Sequence, residues 1–150
     1  MGTSYTEYGS LGFWARDETV ELWLYLLVGV VDEQPEPMAW LRDAREDWYA
    51  QATVGFQGFV SAGLDEHLVR EPGRESAFLG LVAIVHDRLA SYGEAIPSSA
   101  TTRWSIGGGK DLGEVSTDLM HRFTAAVVGL VHGQATWDTT ARVPGVWAPP

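Results

Sequence analysis

The sequence predicts a mostly α-helical domain, and three observations carry that expectation. Apolar residues recur at i, i+3, i+4 and i+7 through several stretches. Proline or glycine punctuates the gaps between those stretches. The chain of 150 residues, 45% hydrophobic and 20% charged, is large and apolar enough for one well-filled core and is not a disordered composition. The expected architecture is about four main helices in one bundle-like domain over residues 1–150. An extended N-terminal segment, a long Gly-rich loop at 94–113 and an extended C-terminal tail complete it.

Residues 1–15 mix glycine and aromatics without a helical period, and an extended segment packed on the body is expected. A first helix follows over 17–32, where Asp17, Glu18 and Glu21 suit the positive end of its dipole. Val20, Trp23, Leu24, Leu27, Val30 and Val31 make one face, and Leu22, Leu26 and Val28 add apolar surface elsewhere. Such a helix is either central in the fold or buried in a homodimer interface. Pro35 and Pro37 make 33–37 a linker.

A second helix, 38–54, sets Trp40, Leu41, Ala44, Trp48 and Ala52 on an inner side. Arg42, Asp43, Glu46, Tyr49 and Thr53 fall outside, with Arg42 and Glu46 spaced as an i, i+4 pair. The Gly55-Phe56-Gln57-Gly58-Phe59 run either loosens the helix end or allows close packing, and a short helical turn covers 64–70. Pro72 opens a third long helix carried by Phe78, Leu81, Val82, Val85, Leu89 and Tyr92, and Gly93 stops it. A short strand is expected within 101–106. The last helix, 117–132, is expected to be capped by Ser116 or Thr117 and to bury Leu119 or Met120, Phe123, Val127, Leu130 and Val131.

Twenty acidic residues against ten basic ones give a net charge of −10, which disfavours nucleic acid and anionic membranes as partners. Fourteen of the acids but only five of the bases lie in residues 1–75. The absence of cysteine excludes disulfides, thiolate metal sites and cysteine nucleophiles. The N-terminus lacks the basic and apolar regions of a signal peptide, so a cytoplasmic location is expected. The apolar run from Val20 to Val31 is interrupted by Glu21 and falls short of the roughly 20 residues a bilayer span needs.

The chemistry-bearing candidates are few. His86-Asp87 resembles the central dipeptide of HD-type metal phosphohydrolases, and His67 with Asp118 or His121 would have to converge on it. That constellation gives an alternative reading as a small metal-dependent hydrolase. Gly107-Gly108-Gly109-Lys110 invites a phosphate-loop reading, but Asp111 replaces the required Ser or Thr and the earlier glycine is missing. A flexible loop leading into Asp111, with Glu114 as a weak capping box, is the expectation there. No Gly-x-Ser-x-Gly elbow occurs, and the pairs Glu46-Asp47 and Asp65-Glu66 read equally as solvated faces. No cofactor, metal ligand or catalytic residue is assigned. The remaining candidate is a strip of Glu33, Glu36, Asp43, Glu46 and Tyr49, suited to steering and contacting a basic protein.

The stretches Trp40-Leu41-Arg42, Arg45 through Phe56 and Gly63-Leu64-Asp65 resemble small uncharacterised bacterial proteins. In size, acidity and missing catalytic residues the whole chain resembles immunity proteins that neutralise polymorphic toxins. That resemblance implies tight stoichiometric binding to a toxin, often a basic nuclease, with occlusion of its active site. Immunity proteins have many unrelated folds, so it transfers no residue roles. A structural helical homodimer is the third reading.

Overall fold

A computed structural model of the chain describes residues 2–134 and the backbone of 146–147. It is mostly α-helical, as expected, but it opens with a β-hairpin rather than a single extended segment. Strands β1 (Thr3–Tyr8) and β2 (Leu11–Arg16) pair antiparallel from Thr3↔Arg16 to Tyr8↔Leu11. Gly9, at φ 61°, makes the two-residue turn, a conformation glycine adopts without steric cost. Side chains alternate as a pleat requires: Ser4, Thr6 and Tyr8 are buried from one strand, Phe13 and Ala15 from the other. The other edge of β2 pairs with β5 (Val146–Trp147). The rest of the expected C-terminal tail lies outside the described residues.

Helix α1 (Asp17–Asp32) follows β2 without a loop, and twelve of its residues are buried within this chain. Its all-round apolar character is therefore that of a central helix, and the homodimer explanation of it is not needed. Trp23 donates its indole N–H to Thr124 Oγ1 at 3.0 Å, and its ring packs against Phe78 and Phe123. Helix α2 (Ala39–Thr53) packs on α1 and buries Leu41, Ala44, Trp48 and Ala52. Trp40 departs from the expectation: it is half-buried, with the Arg74 guanidinium 5.3 Å from its ring centre.

Helix α3 (Leu64–Leu68) is the expected short turn, and α4 (Pro72–Ser91) begins at the predicted proline. Glu71 caps α4, accepting the N–H groups of Gly73 and Arg74. The expected loop at 94–113 is built of short pieces. They are β3 (Ala95–Ile96), α5 (Ser98–Thr101) and a 3-10 turn at Ile106–Gly108. The strand expected within 101–106 is absent, because Thr101 ends a helical turn and its hydroxyl donates to the Gly113 carbonyl.

β3 pairs with β4 (Val115–Ser116), which leads into α6 (Thr117–Val131). Neither Ser116 nor Thr117 caps α6 with its side chain: the Thr117 hydroxyl donates instead to Gly93 O at 2.6 Å. Of the two alternatives for the stripe on α6, Met120 is the buried one. One buried cluster runs from Tyr8 to Leu130. Among the described residues no helix is long and apolar enough to cross a membrane.

Candidate functional site

The two prolines between α1 and α2 turn the chain so that the end of α1 meets the outer side of α2. Asp32 closes α1 and Glu33 follows it, at the end where unpaired carbonyls concentrate negative charge. No basic residue lies in that last turn. Arg42, Asp43, Glu46 and Tyr49 are exposed on α2, as the helical spacing predicts.

Arg45 organises this corner. Its Nε and Nη2 donate to the two Asp32 carboxylate oxygens at 2.8 and 3.0 Å, and its Nη1 donates to Glu46 at 3.0 Å. The guanidinium also lies 5.0 Å from the Tyr49 ring centre. The Asp32 hydrogen bond is the largest cause of an upward shift in the Arg45 pKa. The ion partner of Glu46 is thus Arg45, not Arg42, because the bidentate grip on Asp32 swings the guanidinium over Glu46.

Glu33 is paired with Arg88 of α4. Glu36 and Asp43 are exposed, and neither has an ion partner among the described residues. Tyr49 is 43% exposed. Nearby lies Tyr25, half-buried and stacked on Trp104 at 5.3 Å, its pKa raised by burial and secondarily by Tyr49. Arg45 and Tyr25 are members of this surface that sequence reasoning missed. Their signals were present, as a base between two acids and an aromatic on α1, but their partners lie across the proline linker.

Beyond α2 the chain enters the Gly55–Phe59 loop, where the structure selects close packing. A Cβ on Gly55 would lie 2.7 Å from Gly107 O, so the glycine lets two backbones touch. In the glycine run at 107–109, Gly107 and Gly108 are correspondingly packed against the body, whereas Gly109 faces open space. A Cβ on Gly107 would collide with Glu21 Oε2, and Lys110 Nζ donates to Glu21 Oε1 at 2.6 Å. The capping box is replaced by a local turn in which Asp111 accepts the Gly113 N–H. An open cleft of about 680 Å³ lies beside this turn, with Arg16, Thr19, Gln57, Lys110 and Leu119 among its lining. Its cations sit among Glu18, Asp111 and Glu114, which leaves no wall of single charge for an anionic ligand.

Of the candidate histidines, the structure brings His86 and His121 together and leaves His67 apart from them. His67 bonds Asp47 at 2.7 Å and meets the Trp48 ring edge-on, clamping α3 to α2. His86 lies 3.5 Å from Asp87 and packs against His121, ring centres 4.6 Å apart. Asp118 pairs with Arg122. Among the described residues no group of three or more His, Asp or Glu side chains is placed to hold a metal ion. No protein-family model, curated protein or solved structure matches the chain.

Proposed function

We propose that this protein is a non-enzymatic binder of a basic protein, acting by stoichiometric sequestration or inhibition as an immunity protein does. Its contact face is the corner where α1 ends and α2 begins, with Glu33, Glu36, Asp43, Glu46 and Tyr49 as the contact residues. The observation that carries the proposal is the placement of charge. Residues 32–47 hold six carboxylates and two guanidiniums. Two of those carboxylates, Asp32 and Glu33, sit at the negative end of α1, where they oppose the helix dipole. Each of the two is held by a guanidinium of this chain, Asp32 by Arg45 and Glu33 by Arg88, which offsets that cost and ties the end of α1 to α2 and α4. The charge left to steer a cationic partner is that of Glu36 and Asp43, which are exposed and have no ion partner among the described residues. We read the four long helices as a bundle-like support that holds the corner rigid, with Tyr49 supplying contact area at low entropic cost.

The test is kinetic. A partner isolated from the host by affinity capture should associate with the purified chain at a rate that falls steeply with added salt. The double variant Glu36→Lys, Asp43→Lys should slow association about tenfold at low ionic strength. Unchanged association in that variant would remove the corner as the contact face.

A further inference from the structure

We propose that the loop following α2 is the anchor of that same interface, inserting Phe59, flanked by Phe56 and Val54, into an apolar pocket on the basic partner. This rests on the reading of the acidic corner as a protein-binding face. It adds a different kind of residue, with a separate role, that charge does not reveal.

Three observations converge. Val54, Phe56 and Phe59 lie within six residues of one another and are 57%, 39% and 82% exposed. Scattered exposed apolar side chains need no explanation, but three in one short stretch form a patch in the chain. The loop is also fixed from beneath. Gly58 N–H donates to Asp17 Oδ2 at 2.8 Å, and Asp17 is fully buried. Ser4 Oγ donates to the other Asp17 oxygen at 2.5 Å and accepts the Val60 N–H at 2.9 Å. Ser61 N–H reaches Gln51 Oε1 at 2.9 Å, and Phe59 N–H closes a turn on Phe56 O. A buried carboxylate, a buried hydroxyl and a glutamine side chain therefore hold a loop that leaves Phe59 largely uncovered. Fixing an exposed aromatic in advance of contact is how an interface limits the entropy lost on binding.

Charge selects the occupant. Val54 follows α2 on the side where Asp43 and Glu46 are exposed about two to three turns earlier, so a protein covering both would reach from the loop along α2 to that carboxylate strip. A second copy would carry the same net charge of −10, and an anionic lipid surface would repel a chain of that charge. A basic protein with an apolar pocket satisfies both halves of the surface.

The experiment uses the full chain with a photo-reactive phenylalanine analogue at position 59, illuminated in extract of the native host. A matched chain carries the analogue at Ile84, an exposed apolar position on α4. The expected result is one discrete adduct from position 59, absent from position 84, with a protein of positive net charge. With that protein purified, Phe59→Ser should weaken binding by about tenfold or more through faster dissociation. Glu36→Lys with Asp43→Lys should instead slow association. The anchor is overturned by an adduct pattern shared with position 84, by an adduct with an acidic protein or a second copy, or by a Phe59→Ser variant within twofold of wild type. Slowed association in the charge variant beside unchanged dissociation in Phe59→Ser would keep the acidic face and remove the anchor. Faster dissociation in Phe59→Ser with association unmoved by charge reversal would remove the acidic face itself.

Discussion

Asp17 and Glu21 stand one turn apart on α1, and both carboxylates are fully buried. Their surroundings solve the same problem in opposite ways. Asp17 sits among neutral donors, the Ser4 hydroxyl and the Gly58 N–H, at the N-terminal end of a helix whose dipole favours an anion. Glu21 meets a cation, Lys110, but only through Oε1, and its buried Oε2 has no hydrogen-bond partner. Burial accordingly raises the Glu21 pKa above its ordinary value despite the opposing pull of Lys110. A formal ion pair is therefore not the better arrangement: two well-aimed dipoles satisfy a buried carboxylate that a single ammonium leaves half-served. Each carboxylate also fixes a different loop. Asp17 holds the aromatic loop to the hairpin, and Glu21 holds the glycine turn to α1.

The largest expected effect comes from removing the better-satisfied group. Asp17→Ala leaves the Ser4 hydroxyl and the Gly58 N–H without their acceptor in a buried setting, at a cost of about 3 kcal/mol. Chemical denaturation measures the loss. Hydrogen exchange should show the amides of 58–60 losing protection ahead of α4. A loss below about 0.5 kcal/mol would mean that the loop is held by something other than Asp17.

The helices were legible because their apolar spacing is long and regular, and α1 is bounded as its residues foretold. The hairpin was not legible, because its inward positions include Ser4 and Thr6, polar residues that break the apolar alternation by which a strand is recognised. The glycine run was misread for a related reason. Its glycines admit Glu21 and the end of α2 at close range, and close approach across 50 to 90 residues leaves no local mark. At the candidate site, the outward direction of Asp43, Glu46 and Tyr49 followed from helical geometry alone. The grip of Arg45 on Asp32 did not, since it spans thirteen residues and two prolines. Phe59 was invisible as a surface residue because a phenylalanine is a core residue by default.

A smaller effect is expected on the other side of the comparison. Lys110→Met strips Glu21 of its cation while keeping an apolar stem, and should cost about 2 kcal/mol at neutral pH. The value is held down because Lys110 is 36% exposed and water already screens part of the attraction. The variant should recover most of its deficit near pH 4, below the raised pKa of Glu21, where that carboxyl is already protonated. A deficit independent of pH would show that the Lys110 stem, not its charge, supports the turn.

The smallest and most diagnostic change is Glu21→Gln, because it separates charge from shape. Folding raises the pKa of Glu21 from its ordinary 4.5, so over the interval above that value the native state binds more protons than the unfolded chain. The group's contribution is therefore most favourable below about pH 4.5 and declines as pH rises through the raised native value, after which it levels off. Glutamine keeps the size and an acceptor for Lys110 but cannot ionise. At neutral pH the variant should lie within about 1 kcal/mol of wild type, since exchanging a buried charge for a neutral group of equal volume is often close to neutral. The difference between the two proteins should nevertheless drift in favour of Glu21→Gln as pH increases from 4.5, while all other carboxylates cancel in the subtraction. Urea midpoints taken at intervals from pH 4 to 8 read that drift directly. A drift of opposite sign would mean that Lys110 satisfies Glu21 as fully as the hairpin satisfies Asp17, and the contrast between the two carboxylates would vanish.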